Sequence, residues 1–285
     1  MIIISVIIPV YNGQLFIEET IQSVIKQTFK DWELIVVNDG STDKTSLILN
    51  KYSSSQNIKI IHKNNSGVSD SRNKGAEVAE GKYYCFLDAD DLLVENCLER
   101  RFEKIKHAPN ALFHNDIEEI DINGVRRNVI FSGISGMVLD KMLAWKDTTI
   151  PGPSSVILSK ESFEEVKGFD TELSTAADQD FFIRLAEKHY VERIPEILTL
   201  YRIHPNNMHQ NIPLMEKDHT LVFVKAAKNK LFKSYTFKQQ CFANLYLILA
   251  GSWWKEGKNK SRALLFMFKS FLAYPLHFFK LFKKI

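Results

Sequence analysis

Apolar residues in this chain follow two rhythms. Ile2 to Val10 is apolar on both faces, as in a central parallel strand, and Pro9 sits near its end, where a lost backbone donor is tolerable. Ile17, Ile21, Val24 and Ile25 then recur at helical spacing on one face. Trp32 to Asn38, Ile58 to His62 and Tyr83 to Leu87 are further buried-strand runs, and a helix carrying Arg72 and Asn73 follows Asn65-Ser66-Gly67. Strands alternating with helices at short spacing predict a βαβα parallel sheet for the first half.

The second half reads less regularly. A helix is expected over Glu95 to Lys106. Asp116 to Ile122 and Val125 to Phe131 flank Asn123-Gly124, a hairpin signal. Met137 to Trp145 reads as a short helix, and Ile150-Pro151-Gly152-Pro153-Ser154-Ser155 as a rigid loop entering a strand through Leu158. A short helix at Glu161 to Val166 ends at Gly168-Phe169-Asp170, and Asp178 opens another helix with Phe181, Phe182, Leu185 and Ala186 on its apolar side. Two short strands are expected around Val191 to Ile194 and Ile197 to Ile203, and helices after Pro213.

The chain's 285 residues suffice for one large domain, or for one domain plus an appendage. The formal net charge of +3 hides an asymmetry. His219 to Ile285 holds thirteen Lys and Arg against Glu256 alone, a net +12, which leaves −9 on the first 218 residues. Such a split suggests two different partners. The apolar N-terminus has no basic leader and reads as a strand rather than a signal peptide. Cys85, Cys97 and Cys241 form neither a disulfide framework nor a zinc pattern, which fits a reducing cytosol. The longest uncharged C-terminal run, Gln239 to Trp254, is shorter than the roughly 20 residues of a membrane span.

Candidate chemistry centres on Phe86-Leu87-Asp88-Ala89-Asp90-Asp91. Three carboxylates within four residues repel one another unless a cation or hydrogen-bond donors compensate. Mg²⁺ and Mn²⁺ take one or two carboxylates together with substrate phosphates, and the C-terminal edge of a parallel strand is where α/β sheets bind ligands. An acidic turn capping the next helix explains the same residues. Asp39 opens a Gly-Ser-Thr turn and suits either a nucleobase N–H or its own backbone. Arg72 suits a diphosphate oxygen or a solvated helix face. Asp178 and Asp180 suit a general base or a helix N-terminus that favours carboxylates. His204 suits a metal or a structural role. Neither Gly-x-Gly-x-x-Gly nor Gly-x-x-x-x-Gly-Lys-Ser/Thr occurs at these turns, which disfavours dinucleotide enzymes and P-loop NTPases.

Pro9-Val10-Tyr11-Asn12, Val37-Asn38-Asp39-Gly40-Ser41-Thr42-Asp43, Ser69-Asp70-Ser71-Arg72-Asn73-Lys74-Gly75 and Phe86-Leu87-Asp88-Ala89-Asp90-Asp91 occur in this order. This ordered set resembles the family-2 glycosyltransferases, closely over residues 3 to about 110. The resemblance is looser through Gly168-Phe169-Asp170, Asp178-Gln179-Asp180-Phe181-Phe182-Ile183-Arg184-Leu185 and Tyr201-Arg202-Ile203-His204. It implies a GT-A fold: a Rossmann-like, mostly parallel α/β sheet flanked by helices. The catalytic domain would span residues 1–212, with a nucleotide-binding half to about residue 110 and an acceptor half over 111–212. Residues 213–285 would form a helical, basic, amphipathic extension.

The resemblance further implies an inverting, metal-dependent transferase using a nucleotide-diphosphate sugar, a UDP-sugar by expectation, in cell-surface polysaccharide or glycolipid assembly. Pro9, Val10 and Tyr11 would line the nucleobase pocket, Asp39 would bond the base and Arg72 would approach the diphosphate. Asp88 would face ribose or metal, and Asp90 would ligate Mn²⁺ or Mg²⁺, with His204 and Asp91 as further candidates. Asp178 would be the catalytic base and Asp180 its fallback. Ala177 stands where the family often has Glu, which removes a neighbour of the base. The competing readings are a sugar-nucleotide-forming nucleotidyltransferase and a non-catalytic nucleotide-sugar-binding scaffold at a membrane.

In the basic tail, Leu264, Leu265, Phe268, Phe271 and Leu272 share a helical face, and Leu276, Phe279 and Phe282 continue it beyond Pro275, while Lys269, Lys280, Lys283 and Lys284 sit elsewhere. This pattern suits a helix lying on an anionic membrane, at the cytoplasmic face where a glycan or lipid-linked acceptor is presented. It equally suits a helical lid with a solvated lysine face. No nucleic-acid-binding module accompanies the charge, so no nucleic-acid partner is expected.

Overall fold

The computed structural model describes residues 2–145, 147–205 and 211–276. Strands β1 (Ile4–Val10), β2 (Trp32–Asp39), β3 (Ile58–Lys63) and β4 (Tyr83–Phe86) pair in parallel in the order β3-β2-β1-β4. Every residue of β1 and β2 is buried, which explains their apolar run on both faces. Helices α1 (Ile17–Ile25), α2 (Thr45–Asn50) and α3 (Val68–Glu77) form the crossovers. The chain runs outward from β1 to β3, then returns to lay β4 on the other side of β1. The strand order therefore reverses between β1 and β4, and the C-terminal ends of strands at such a reversal are where open α/β sheets bind ligands.

After β4 come β5 (Leu92–Leu93), α4 (Cys97–Ile105), β6 (Leu112–Ile120), β7 (Arg126–Phe131), α5 (Leu139–Ala144), β8 (Val156–Ser159), α6 (Lys160–Glu165), α7 (Ala177–Lys188) and β9 (Val191–Arg202). The full order is β3-β2-β1-β4-β8-β6-β9-β5, with β7 paired to β6. The sheet is parallel through the first four strands. It becomes mixed where β8 runs antiparallel to both β4 and β6.

Three details differ from the sequence expectation. β6 starts at Leu112, because Leu112 to Asn115 are buried beside β9. The two strands expected after Val191 are one. The apparent break is a bulge in which Ile194 pairs with Asn115 and Ile197 with Asp116, absorbing Pro195 and its missing donor. The two-residue β5, paired with Thr199 and Leu200, is too short to leave a periodic signature.

Two hydrophobic clusters flank the sheet. Ile4, Val6 and Ile8 of β1 pack with Ile17, Ile21 and Leu98. Ile7 points the other way, into a cluster with Phe86, Phe163, Phe169 and Phe181. Phe169 stacks on Phe181 at 4.1 Å, and Phe86 meets Phe169 edge-on at 4.9 Å. This aromatic block fixes α7 against the end of β4.

The C-terminal segment is helical as expected: α8 (Ile212–Lys228), α9 (Tyr235–Lys255) and α10 (Lys260–Ala273). Val222 and Phe223 of α8, and Leu245 and Leu249 of α9, enter the same core as α7. Phe279, Lys280, Phe282, Lys283 and Lys284 lie outside the described residues.

Candidate active site

The Asp88–Asp91 turn leaves the end of β4, where Leu87 N still donates to Ile7 O (3.0 Å). Asp91 N closes the turn on Asp88 O (3.1 Å), and Thr20 Oγ1 donates to Ala89 O (2.9 Å). Arg72 Nη2 donates to Asp88 Oδ1 (2.7 Å). Asp88 N donates to Ser154 Oγ (3.1 Å), whose hydroxyl donates to Asp91 Oδ2 (2.5 Å). Arg202 N donates to Asp91 Oδ1 (3.1 Å) and Arg202 Nε to Asp90 O (3.0 Å). His204 Nε2 lies 2.8 Å from Asp90 Oδ2. The turn thus has two sides. Asp91 is buried, both oxygens engaged, and acts as a strut. Asp88 and Asp90 stay partly open to solvent.

Negative charge is crowded here. Burial raises the Asp88 pKa, Arg72 pulls it down and Asp90 raises it again. Asp91 is pushed well above the carboxylate range by burial, then by Asp90 and Asp88. Tyr201, one residue before Arg202 in β9, reports the convergence. Its phenol is raised by burial and by the charges of Asp91, Asp88, Asp90 and Asp178 together. Asp178 therefore shares one electrostatic neighbourhood with the three carboxylates of the turn, about ninety residues before it.

Asp178 lies in the first turn of α7. Burial raises its pKa first; Arg72 then lowers it and Asp88 raises it. Its neighbourhood is laced to α3. Asn73 Nδ2 donates to Phe169 O (2.8 Å) while Phe169 N donates to Asn73 Oδ1 (2.8 Å), and Ser69 Oγ donates to Leu173 O (2.7 Å). The Arg72 guanidinium lies 4.9 Å from the centre of the Phe169 ring. Asp180 is buried and paired with Arg184 (2.6 Å), which also holds Gly168 O (2.8 Å). Its carboxylate is committed to the scaffold.

Helix α8 supports the same region. Asp218 Oδ2 accepts from the backbone N–H of Ser174 and Thr175 (both 2.8 Å), immediately before α7. His219 Nδ1 lies 2.5 Å from Gln179 Oε1, with Trp145 edge-on at 4.9 Å. Burial lowers the His219 pKa to about 4.

At the β1 and β2 ends, Pro9 and Val10 are buried and Tyr11 is exposed. Asp39 does not bond its own turn. Its carboxylate accepts from Ser66 N (2.9 Å) and Gly67 N (2.8 Å) and pairs with Lys63. Gly40, at φ +73°, makes room: a Cβ there would come within 2.8 Å of Asn65 N.

Sequence reading missed Ser154 and Arg101. Arg101 is fully buried and, among the described residues, has no carboxylate within ion-pair distance. Its guanidinium donates to Asn115 Oδ1 (2.7 Å), Ser154 O (2.6 Å) and Thr199 Oγ1 (3.0 Å), pinning the loop that carries Ser154. The Pro151-Gly152-Pro153 run marked that loop as rigid, but nothing local marked what it touches.

Among the described residues, no three His, Cys, Asp or Glu side chains form a preformed metal cage. A cation chelated by a diphosphate needs only one or two protein carboxylates. Asp88 and Asp90 offer that donor set, next to His204, and the excess negative charge on the turn is what a divalent cation relieves.

Residues 5–166 match glycosyl transferase family 2. A putative teichuronic acid biosynthesis glycosyltransferase of Bacillus subtilis, TuaG, is 29% identical over 212 residues, covering 73% of this chain and 82% of that protein. The S. aureus TarS structure, residues 1–349, superposes with a TM-score of 0.69 at 19% identity, covering 96% of this chain and 81% of that one. A TarS complex with UDP-GlcNAc matches with a TM-score of 0.60. The mannosyltransferase PcManGT from Pyrobaculum calidifontis, in complex with GDP-Man and Mn²⁺, matches with a TM-score of 0.64 at 18% identity, over 92% of this chain and 73% of that one. The chain spans only 29% to 33% of the length of several uncharacterized glycosyltransferases it also resembles. With the family match covering more than half of its length and the GT-A sheet in place, this chain belongs to glycosyl transferase family 2.

Proposed function

We propose that this protein is a metal-dependent, inverting glycosyltransferase that moves a sugar from a nucleotide-diphosphate donor, a UDP-sugar, to an acceptor hydroxyl. The observation that carries the reading is the convergence of Asp88, Asp90, Asp91 and Asp178 around Tyr201 beside Arg72, at the reversal point of the sheet. Pro9, Val10, Tyr11 and Asp39 form the nucleobase end. Arg72 faces the diphosphate. Asp88 and Asp90, with His204 beside Asp90, would hold Mn²⁺ or Mg²⁺, which would supply the positive charge that offsets the leaving diphosphate. The Mn²⁺–GDP-Man complex of PcManGT and the UDP-GlcNAc complex of TarS support the cation and the donor class.

Asp178 is the base rather than Asp180, whose carboxylate is held by Arg184. Asp178 takes the acceptor hydroxyl proton as that oxygen bonds to the anomeric carbon. The bond from that carbon to the diphosphate oxygen breaks with its electron pair leaving on the nucleotide. One displacement from the opposite face inverts the anomeric centre. The teichuronic acid assignment of TuaG supports a cell-surface polysaccharide, or a lipid-linked precursor at the cytoplasmic membrane face, as the acceptor.

The test is release of nucleotide diphosphate from UDP-, GDP- and dTDP-sugars with Mn²⁺ or Mg²⁺, with and without an acceptor panel. Metal-dependent turnover of one donor, lost in Asp90→Ala, is the expected result. Absence of metal-dependent nucleotide binding sinks the assignment of Asp88 and Asp90. Binding without transfer or hydrolysis across the panel favours a non-catalytic scaffold.

A further inference from the structure

Helix α10 packs on α9 through one narrow face. Ala263, Phe266 and Ser270 are buried, and Ser270 Oγ donates to Ala243 O (2.9 Å). The opposite face is apolar and open. Leu264 is 57% exposed, Phe268 58% and Leu272 62%, with Leu265 and Phe271 also exposed. At about 100° per residue these five side chains fill a continuous arc of about 120°.

Both edges of that arc are cationic. Arg262, ion-paired with Glu216 of α8 (2.5 Å), and Lys269 border it on one side and Lys260 on the other. Trp254, at the end of α9, is half exposed, and Lys260 Nζ lies 5.5 Å from its ring centre. Lys255 and Lys258 are exposed nearby. Residues 257–276 contain no Asp or Glu. Continuous exposed apolar surface marks an interaction site.

We propose that the outer face of α10, with Trp254 at its entry, docks on an anionic lipid bilayer. Leu264, Leu265, Phe268, Phe271 and Leu272 enter the boundary between headgroups and acyl chains. The lysine stems lie along it with their ammonium groups at the phosphates. Trp254 sits at headgroup depth, where its ring has one apolar and one wet side. The helix lies on the membrane rather than crossing it, since among the described residues no helix is long and apolar enough to span one. Charge selects lipid over a second copy of the chain. A two-fold pairing through α10 would set Lys260 and Lys269 of one copy against those of the other, and Glu216, at that edge, is already paired with Arg262. The proposal stands independently of the chemistry at the carboxylate cluster.

The full chain is to be floated with vesicles of phosphatidylcholine alone and of phosphatidylcholine with phosphatidylglycerol. The expected result is binding to the anionic vesicles at low salt, released near 1 M salt, where the Debye length falls to about 3 Å. Phe268→Ser and Leu272→Ser should each weaken it about tenfold, the cost of one buried apolar side chain. Lys260→Glu with Lys269→Glu should remove the preference for anionic lipid. Binding should blue-shift tryptophan emission in the wild type but not in Trp254→Phe. These side chains are exposed, so unchanged circular dichroism and thermal midpoint are required of each variant. The proposal is overturned if the wild type stays with the soluble fraction at low salt, or if the α10 variants float as well as it does. A dimer in sedimentation that Phe268→Ser dissociates, without vesicle binding, assigns the face to self-association instead.

Discussion

His219 offers a quantitative test of how firmly α8 belongs to the fold around Asp178. The side chain lies between Gln179 and Trp145, and burial lowers its pKa from 6.5 to about 4. The unfolded chain binds the proton near pH 6.5, whereas the folded chain resists it until about pH 4. The folded pKa is depressed, so the stabilisation is fully present above pH 6.5 and is lost as pH falls toward 4. Integrated from pH 7 to pH 4.5, the linkage costs the folded state about 2 kcal/mol. Other carboxylates titrate in this window, so the difference between variants is what counts. His219→Gln keeps a hydrogen-bonding group beside Gln179 and removes the titration. Urea unfolding at several pH values should show the wild type losing about 2 kcal/mol more than His219→Gln over that interval. Parallel pH profiles for the two proteins would refute the burial of a neutral imidazole at this contact.

Asp178→Asn should lower kcat by about 10² to 10⁴ while nucleotide-sugar affinity is kept, whereas Asp180→Asn should retain turnover and lose thermal stability. Because burial raises the Asp178 pKa and the base must be ionised, the acidic limb of the kcat profile should lie above the ordinary carboxylate value of about 4, with activity falling as pH drops through it. A limb that stays put in Asp178→Asn would assign it to another group. Ser154→Ala leaves an oxygen of buried Asp91 without its donor, so chemical denaturation should show a loss of about 1–3 kcal/mol, and calorimetry weaker nucleotide binding.

The first half of the sheet was legible because its signals are local. A strand buried on both faces declares itself by composition, and the turn at its C-terminal end carries its chemistry in the next four residues. Asp39, Arg72, Asp88 and Asp90 each follow or face such a turn. The second half was harder. Pro195 looked like a strand break and proved to be a bulge, because pairing to β6 on both sides outweighs one missing donor. In the tail, the spacing of Leu264, Phe268 and Leu272 predicted a shared face, but not whether that face was buried or open.

The sequence alone determined the alternation of strands and helices through β4, the turns bearing carboxylates, the charge asymmetry and the family resemblance, since each depends on neighbouring residues or on short spacing. Only the tertiary structure decided which carboxylates meet and how each one is held. Ser154 reaches Asp91 across 63 positions, Arg101 reaches Thr199 across 98, and Arg202 reaches Asp91 across 111. Asp88, Asp90 and Asp91 look equivalent in the chain. Folding buries Asp91 as a strut between Ser154 and Arg202 and leaves Asp88 and Asp90 partly open to solvent. It likewise gives Asp180 to Arg184 and leaves Asp178 beside Arg72. A carboxylate's role is set by its partners and its solvent, and both are fixed by contacts between residues far apart along the chain.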